Sequence, residues 1–388
     1  MENTSILFIG HEATRTGAPI LLLNFLRWLK DNEDVPFEVM LRLGGPLQSA
    51  YEALAPVHVL ENQRAGSGLA ARAFARFLRS RPIASMRLKN LAKKLVRADV
   101  RLIFSNTIAN SAVLRSLPSP GCPIICYVHE LEHIIRRYGL KEFEFVEKRI
   151  THYIAASKAV KDNLVANHGI PAHRIDVVHA SIRIQPGRGK SREQIRRELG
   201  MEDTALVVCA SGTMNWRKAP DLFVQLACAV RKRGKAPPIR FLWVGGRKGG
   251  GPELPSALLK LSLEQQVIFL GEVQNPIDYF AACDIFALVS REDPFPLVML
   301  EAASLGKSLV SFDDTGGAKE FIEADCGFVV PYLDVEAMAD KILELCGSED
   351  LRRRLGERAR QKVRQRHDIE AAAPKILEII RRFLPSSG

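Results

Sequence analysis

No apolar run in this 388-residue chain approaches the ~20 residues that a helix needs to span a bilayer. An ordinary transmembrane helix is therefore excluded. The opening residues Met1-Glu2-Asn3-Thr4 lack the basic start of a secretory signal and run directly into an apolar strand, so a cytoplasmic protein is expected. There is no internal repeat and no low-complexity segment. The seven cysteines (Cys122, Cys126, Cys209, Cys228, Cys283, Cys326 and Cys346) are odd in number, and most sit inside apolar runs. They read as reduced core residues and not as a disulfide framework.

Acidic residues are missing from one stretch. Between Asn62 and Ala98 stand ten basic residues and no acidic one, while the rest of the chain has 45 basic against 44 acidic. Nearly all of the formal charge of +11 therefore lies there. Arg72, Arg76 and Arg79 share one helical face; after Pro82, Lys89, Lys93 and Arg97 do the same, with Leu88, Leu91 and Leu95 on another. Two amphipathic basic helices are expected. An anionic membrane surface or an acidic acceptor would suit such a face. The plainer alternative is a solvated insertion, and no nucleic-acid partner is expected.

What the chain does have is enough apolar residue, 47%, for full cores. Strand-like runs at Ser5–Gly10, Phe37–Leu43, Val57–Leu60, Val100–Ser105, Pro123–Val128, His152–Ala155 and Ile175–His179 alternate with helical ones such as Pro19–Lys30 and Lys158–Ala166. A polar, basic break follows at Arg183–Ser191. The pattern restarts at Ala205–Ala210, Arg240–Val244, Val267–Leu270, Ile285–Val289, Ser308–Phe312 and Gly327–Val330. Such alternation means parallel sheets covered by helices. An α/β chain of two doubly wound domains is expected, residues 1–185 and 186–368, with a last helix near Ile369–Phe383.

In open α/β sheets ligands bind beyond the carboxyl ends of the strands, and the informative residues fall there. After the strand that ends at Val289 comes Ser290-Arg291-Glu292-Asp293-Pro294-Phe295-Pro296-Leu297-Val298-Met299-Leu300-Glu301. Leu297, Leu300 and Glu301 share a face at helical spacing, Pro296 suits a first helical turn, and Gly306 suits the end. Asp293 and Glu301 bracket the helix start; Asp293 could equally be a simple cap. After Ala205–Ala210 comes Ser211-Gly212-Thr213-Met214-Asn215-Trp216-Arg217-Lys218. Two cations at a helix start oppose the helix dipole and so point to an anion.

These segments resemble the family 4 retaining glycosyltransferases, which have the GT-B fold of two Rossmann-like domains facing a central cleft. Their pattern Glu-Gly-Phe-Gly-x-x-x-x-Glu-Ala stands here as Asp293 to Ala302, with Asp for the first Glu and Pro294 and Pro296 for the glycines. A proline has no N–H, so the amides of Phe295, Leu297 and Val298 are the ones left to grip a sugar. The family's Gly-Arg-Leu-x-x-x-Lys-Gly is similar around Lys218, with Thr213 in the place of the Arg and Arg217 as a substitute cation. Gly17, after His11-Glu12, resembles the N-terminal glycine loop, although a tight turn would need it equally. His129 resembles a histidine near the donor sugar. Gly316-Gly317-x-x-Glu320 resembles a loop near the donor, and Gly271-Glu272-Val273 one beside the base.

The resemblance implies a retaining, metal-independent glycosyltransferase with no cofactor beyond its nucleotide-sugar co-substrate, and a glycan or lipid-linked acceptor. Glu301 would receive the ribose hydroxyls, and Lys218 with Arg217 would hold the diphosphate. Asp293 and the Phe295–Val298 turn would address the sugar. His129, Asp293 and Lys218 would stand nearest the chemistry. In this fold the first domain takes the acceptor, the second the nucleotide sugar, and the segment 369–388 crosses back to the first. A lipid-linked acceptor would place the enzyme at the inner face of a membrane.

Two other readings stay open. His129-Glu130-Leu131-Glu132-His133 fits the His-Glu-x-x-His zinc motif, which needs both histidines on one helix. A nucleotide-sugar binder without catalysis is the other. Leu305-Gly306-Lys307-Ser308 fails as a phosphate loop because position 301 is Glu, and the glycines from Gly245 to Gly251 have the wrong spacing for a dinucleotide loop.

Overall fold

The computed structural model describes residues 6–61, 100–117, 121–184, 189–202, 204–234, 238–250 and 254–384. The two basic helices expected between residues 62 and 98 lie outside the described residues. The chain divides into two compact units, Met1–His179 with Ala372–Gly388, and Ala180–Ala371.

The first unit holds a seven-stranded parallel sheet in the order β3-β2-β1-β4-β5-β6-β7. Its strands are β1 (Ile6–Glu12), β2 (Phe37–Leu43), β3 (Val57–Glu61), β4 (Leu102–Ser105), β5 (Ile124–Val128), β6 (His152–Ala155) and β7 (Ile175–Val177). Strands β4, β5 and β6 are buried along their whole length, as expected of a sheet covered on both faces. The strand order reverses between β1 and β4, which makes their carboxyl ends the switch point where such sheets bind ligands. The helix Gly17–Asn32 follows β1 and buries Leu21, Leu22, Phe25, Leu26 and Leu29. The helix Ile369–Phe383 ends in this unit, where Arg381 pairs with Glu33 at 2.7 Å, Arg382 pairs with Asp176, and Phe383 packs on His152 with ring centroids 4.9 Å apart.

The second unit repeats the plan with six parallel strands in the order β10-β9-β8-β11-β12-β13. They are β8 (Leu206–Ser211), β9 (Ile239–Val244), β10 (Val267–Phe269), β11 (Ile285–Leu288), β12 (Ser308–Phe312) and β13 (Gly327–Val330). Its switch point lies between β8 and β11. One core joins Val208, Phe223, Phe241, Trp243, Ala287 and Val310 with Met338 and Ile342 of the helix Val335–Cys346. Both sheets are thus doubly wound and Rossmann-like. Among the described residues no helix is long and apolar enough to cross a membrane.

Candidate active site

In the second unit, the loops after β8, β11 and β12 meet. Lys218 makes an ion pair with Asp293, and Ser290 Oγ lies 3.4 Å from the same carboxylate oxygen. The two side chains are only 15% and 8% exposed. Lys218 reaches Asp293 by crossing Gly212 so closely that a Cβ there would meet Lys218 Cγ at 2.8 Å and Cδ at 2.9 Å. Asn215 Oδ1 accepts from the Lys218 N–H at 3.0 Å and fixes the turn. The Asp293 N–H donates to the Thr315 carbonyl at 2.6 Å, and the Gly317 N–H donates to the Pro294 carbonyl at 3.0 Å. The Gly316-Gly317 loop therefore braces the Asp293–Pro296 turn through its carbonyls, which proline retains.

Three local expectations change. Asp293 does not cap the helix: the helix runs Leu297–Ser304 with Pro296 at its N-cap, so Pro296 precedes the first turn and no side chain caps it. The following helix, Pro220–Lys232, begins only after Ala219, whose φ of 55° is left-handed, so Arg217 and Lys218 stand before the helix and not in it. Lys218 is also compensated by Asp293, whereas Arg217 has no acidic partner among the described residues. Arg217 Nη1 donates to the Glu292 carbonyl at 3.0 Å, and the rest of its five-donor fork is open to another acceptor. Thr213, in the place of the family arginine, is exposed and accepts from Asn215 Nδ2 at 2.8 Å.

Phe295, Pro296 and Leu297 are buried and Val298 is half-buried. The Phe295 ring stacks on His367 at 5.3 Å between centroids, and His367 meets Phe321 edge-on at 5.2 Å. His367 was not legible as a site residue; it closes a π-helical turn, Val363–His367, of a kind that often marks functional sites. At the start of the helix the amides of Leu297 and Val298 have no intrahelical acceptor, whereas Met299 already donates to Pro296 at 3.1 Å. Glu301 lies one turn on, half-buried. Its carboxylate has no cation or hydrogen-bond donor among the described residues, and burial alone raises its pKa to about 7. Gly306 takes a left-handed φ of 74° just past the helix, as its spacing implied.

Val273 is half-buried in the loop after β10. That loop is tied to the one after β9 by the Gly245 N–H, which donates to the Gly271 carbonyl at 2.9 Å. Gly245 in turn crosses the Gly212 carbonyl so closely that a Cβ would sit 2.8 Å from it. Arg291, beside Asp293, grips Asp221 with both nitrogens, at 3.0 and 2.5 Å. It also donates to the Trp216 carbonyl at 3.0 Å.

In the first unit the candidates gather at the switch point. Gly17 opens its helix, exposed and outside the left-handed region, so no tight turn demands it. His129 follows β5; its ring lies 4.2 Å from that of Tyr127, and its Nε2 is 3.1 Å from Asn106 Oδ1. Burial, with His11 nearby, pulls its pKa down to about 3. The imidazole is therefore neutral near neutral pH and suits hydrogen bonding better than proton transfer. Glu130 is buried, which raises its pKa, and it accepts from Thr107 Oγ1 and from the His129 N–H at 2.9 Å. Asn106 and Thr107 were not singled out in the sequence; a polar triplet, Ser105-Asn106-Thr107, closing an apolar strand at a switch point was the available signal.

The zinc reading does not survive this geometry. The helix runs Glu132–Tyr138, so His133 lies on it and His129 does not. Glu130, the would-be base, is occupied by Thr107. Lys307 points elsewhere too: its Nζ donates to the carbonyls of Ala281 and Cys283 at 2.8 and 2.7 Å, at the amino end of β11.

Two doubly wound units, the second with two cations, a buried carboxylate and glycine-lined crossings at its switch point, define a Rossmann-like α/β architecture. Residues 191–362 match the model for glycosyl transferases group 1, and residues 37–185 match that for glycosyltransferase family 4. The chain belongs to the family 4 glycosyltransferases of the GT-B fold. It is 32% identical to the D-inositol 3-phosphate glycosyltransferase of Nocardia farcinica over 59% of this chain and 51% of that protein. With the Rhodococcus erythropolis enzyme of the same name it shares 30% identity over 68% of this chain and 63% of that protein. The chain thus spans between about half and two thirds of the length of these relatives. Its fold is that of Anabaena HepE, solved in complex with UDP-glucose, with a TM-score of 0.78, 21% identity and coverage of 97% and 99%. A Rickettsia africae glycosyltransferase aligns with a TM-score of 0.74, 17% identity and full coverage of both chains.

Proposed function

We propose that this chain transfers a sugar from a nucleotide-activated donor to a glycan or lipid-linked acceptor, with retention at the anomeric carbon and without a metal ion. The observation that carries this reading is Glu301: a half-buried carboxylate with no partner among the described residues, at the carboxyl end of a doubly wound sheet, one helical turn from the Asp293 turn. Ribose hydroxyls would supply the donors it lacks. Departure of a nucleoside diphosphate builds negative charge, and preorganised cations lower the barrier to it. Arg217 supplies a charge with no acidic partner among the described residues. Lys218 has three donors, so it can hold Asp293 with one and a phosphate oxygen with another. Asp293, fixed by that pair, would accept from a sugar hydroxyl. The leaving phosphate would take the acceptor's proton while the acceptor attacks from the same face, so the protein's part is orientation and electrostatics.

A nucleotide-sugar screen by thermal shift, followed by donor hydrolysis, tests the reading. A ligand that binds only the folded form stabilises it by ~2.7 kcal/mol at a hundredfold excess over its Kd. Product of retained configuration, formed equally with chelator present, is expected. Tight binding without hydrolysis or transfer would favour the non-catalytic binder. The charge of residues 62–98 supports a further proposal, that the enzyme works as a peripheral protein on an anionic membrane surface in the cytoplasm.

A further inference from the structure

Two consecutive residues after β4 grip two consecutive residues after β5. Asn106 meets the His129 ring and Thr107 meets the Glu130 carboxylate. The direction of the first bond follows from what cannot donate. The carbonyl of Ala18 carries only lone pairs, and Asn106 Nδ2 lies 2.7 Å from it. The amide NH2 must therefore face Ala18, and the amide oxygen must face His129. Amide orientation is fixed by such networks. The amide oxygen can only accept, so the proton at the 3.1 Å contact sits on His129 Nε2. Asn106 is itself held: it is 2% exposed, and its N–H donates to the Ile9 carbonyl at 2.9 Å.

The ring carries one proton, since burial holds its pKa at about 3. Nδ1 is thus a bare acceptor. It is buried and has no hydrogen-bond partner among the described residues. A buried polar atom left without a partner costs ~1–3 kcal/mol, and the first unit tolerates this at its ligand-binding switch point. A hydroxyl is the group that would complete it.

We infer that Asn106 is a positioning residue: clamped by the Ala18 carbonyl, it holds His129 in the Nε2–H tautomer, so that Nδ1 is presented as an acceptor for a substrate hydroxyl. The identity of that hydroxyl as a sugar's rests on the glycosyl-transfer reading above; the tautomer does not. Asn106 acts through His129 and need not touch substrate itself. The same clamp ties Ala18, next to Gly17, to the loop after β4.

The test needs no ligand. Chain labelled with 15N in its histidine rings is examined by long-range 1H–15N correlation, with His129→Gln identifying the His129 signals. An unprotonated Nδ1 and a protonated Nε2 are expected, unchanged between pH 5 and 8. In Asn106→Leu the acceptor is gone, and a large share of the Nδ1–H tautomer should appear while the other histidines keep their spectra. A wild-type ring protonated at Nδ1, or a Leu variant with the wild-type His129 signals, overturns the inference. If the Leu variant does not fold, Asn106→Asp decides. Its carboxylate has no proton to give Ala18 and draws a second proton onto the ring, so the His129 pKa should rise by two units or more; no rise overturns the inference. Failure of every donor in the nucleotide-sugar screen would count against the functional reading and leave this measurement intact.

Discussion

The ammonium of Lys218 rests against the carboxylate of Asp293, 75 residues further along the chain, and both are largely withdrawn from solvent. A residue expected to meet phosphate and a residue expected to meet sugar are thus already joined. Breaking a buried pair by removing one partner is far more costly than losing an exposed one, because a charge is left unpaired.

Lys218→Ala should therefore show two effects. Turnover should fall roughly a hundredfold, the scale for a lost electrostatic group at a leaving anion. Chemical denaturation should show a loss of about 3 kcal/mol, relieved in the double variant Lys218→Met with Asp293→Asn. Turnover within twofold of wild type would remove Lys218 from the chemistry.

Gly212→Ala tests the same pair from beneath. The added methyl would meet the Lys218 stem at 2.8 Å, and moving the stem aside is expected to draw the ammonium from Asp293. Turnover should drop by about tenfold or more, near one unit of 1.4 kcal/mol, with the fold kept as judged by circular dichroism. An unchanged rate would mean that the stem has room to shift.

Arg217→Ala should weaken nucleotide diphosphate binding more than it weakens the fold. Its guanidinium has no acidic partner among the described residues, so little native stability depends on it, while a charge-assisted bond to phosphate is worth ~1.5–3 kcal/mol. Calorimetry with nucleoside mono- and diphosphates separates the cases. An equal loss for both would place Arg217 away from the outer phosphate.

Glu301 predicts a pH dependence. Its pKa is raised from the ordinary 4.5 to about 7, so the folded state holds the proton where the unfolded chain has released it. The stability this contributes is complete below pH 4.5 and is lost as pH rises through 7, on the order of 2–3 kcal/mol in all. Ribose hydroxyls need the ionised form, so nucleotide affinity should rise over the same window. Glu301→Gln should flatten both profiles, leave the protein more stable than wild type above pH 7, and weaken nucleotide binding by about 1–3 kcal/mol. A wild-type affinity independent of pH between 5.5 and 8 would contradict the ribose role.

Much of this architecture could be read from sequence because it is written locally. The thirteen strands among the described residues appear where short apolar runs stand, within a few residues at each end, and their alternation with helices gives parallel sheets, though not which strand lies beside which. The spacing of Asp293 and Glu301 is likewise local. What could not be read is pairing at a distance. Nothing near Lys218 announces that Asp293 neutralises it, nor that Arg217 is the cation left without an acidic partner among the described residues. The grip of Asn106 on His129 joins loops 23 residues apart that only the parallel register of β4 and β5 brings together. The part played by Pro294 and Pro296 in the turn is hidden for a related reason: their missing N–H groups are evident in the sequence, whereas the use of their carbonyls by the amides of Gly317 and Met299 is not.

The basic stretch predicts a salt-dependent membrane affinity. Ten cations without an acid repel one another unless a partner neutralises them, and an anionic leaflet offers about 1 kcal/mol for each basic residue near its surface. Sedimentation with vesicles of phosphatidylcholine and phosphatidylserine should carry the protein down at low salt. Recovery should fall as salt rises, since exposed charges are screened beyond ~8 Å at physiological ionic strength. Vesicles of phosphatidylcholine alone should not bind. Charge reversal at Arg72, Arg76, Lys89 and Lys93 together should abolish the effect and leave nucleotide affinity unchanged, because Lys218, Arg217 and Glu301 belong to the other unit. Equal recovery with neutral and anionic vesicles would reject the membrane reading, and a soluble acidic acceptor would then be the better match for the charge.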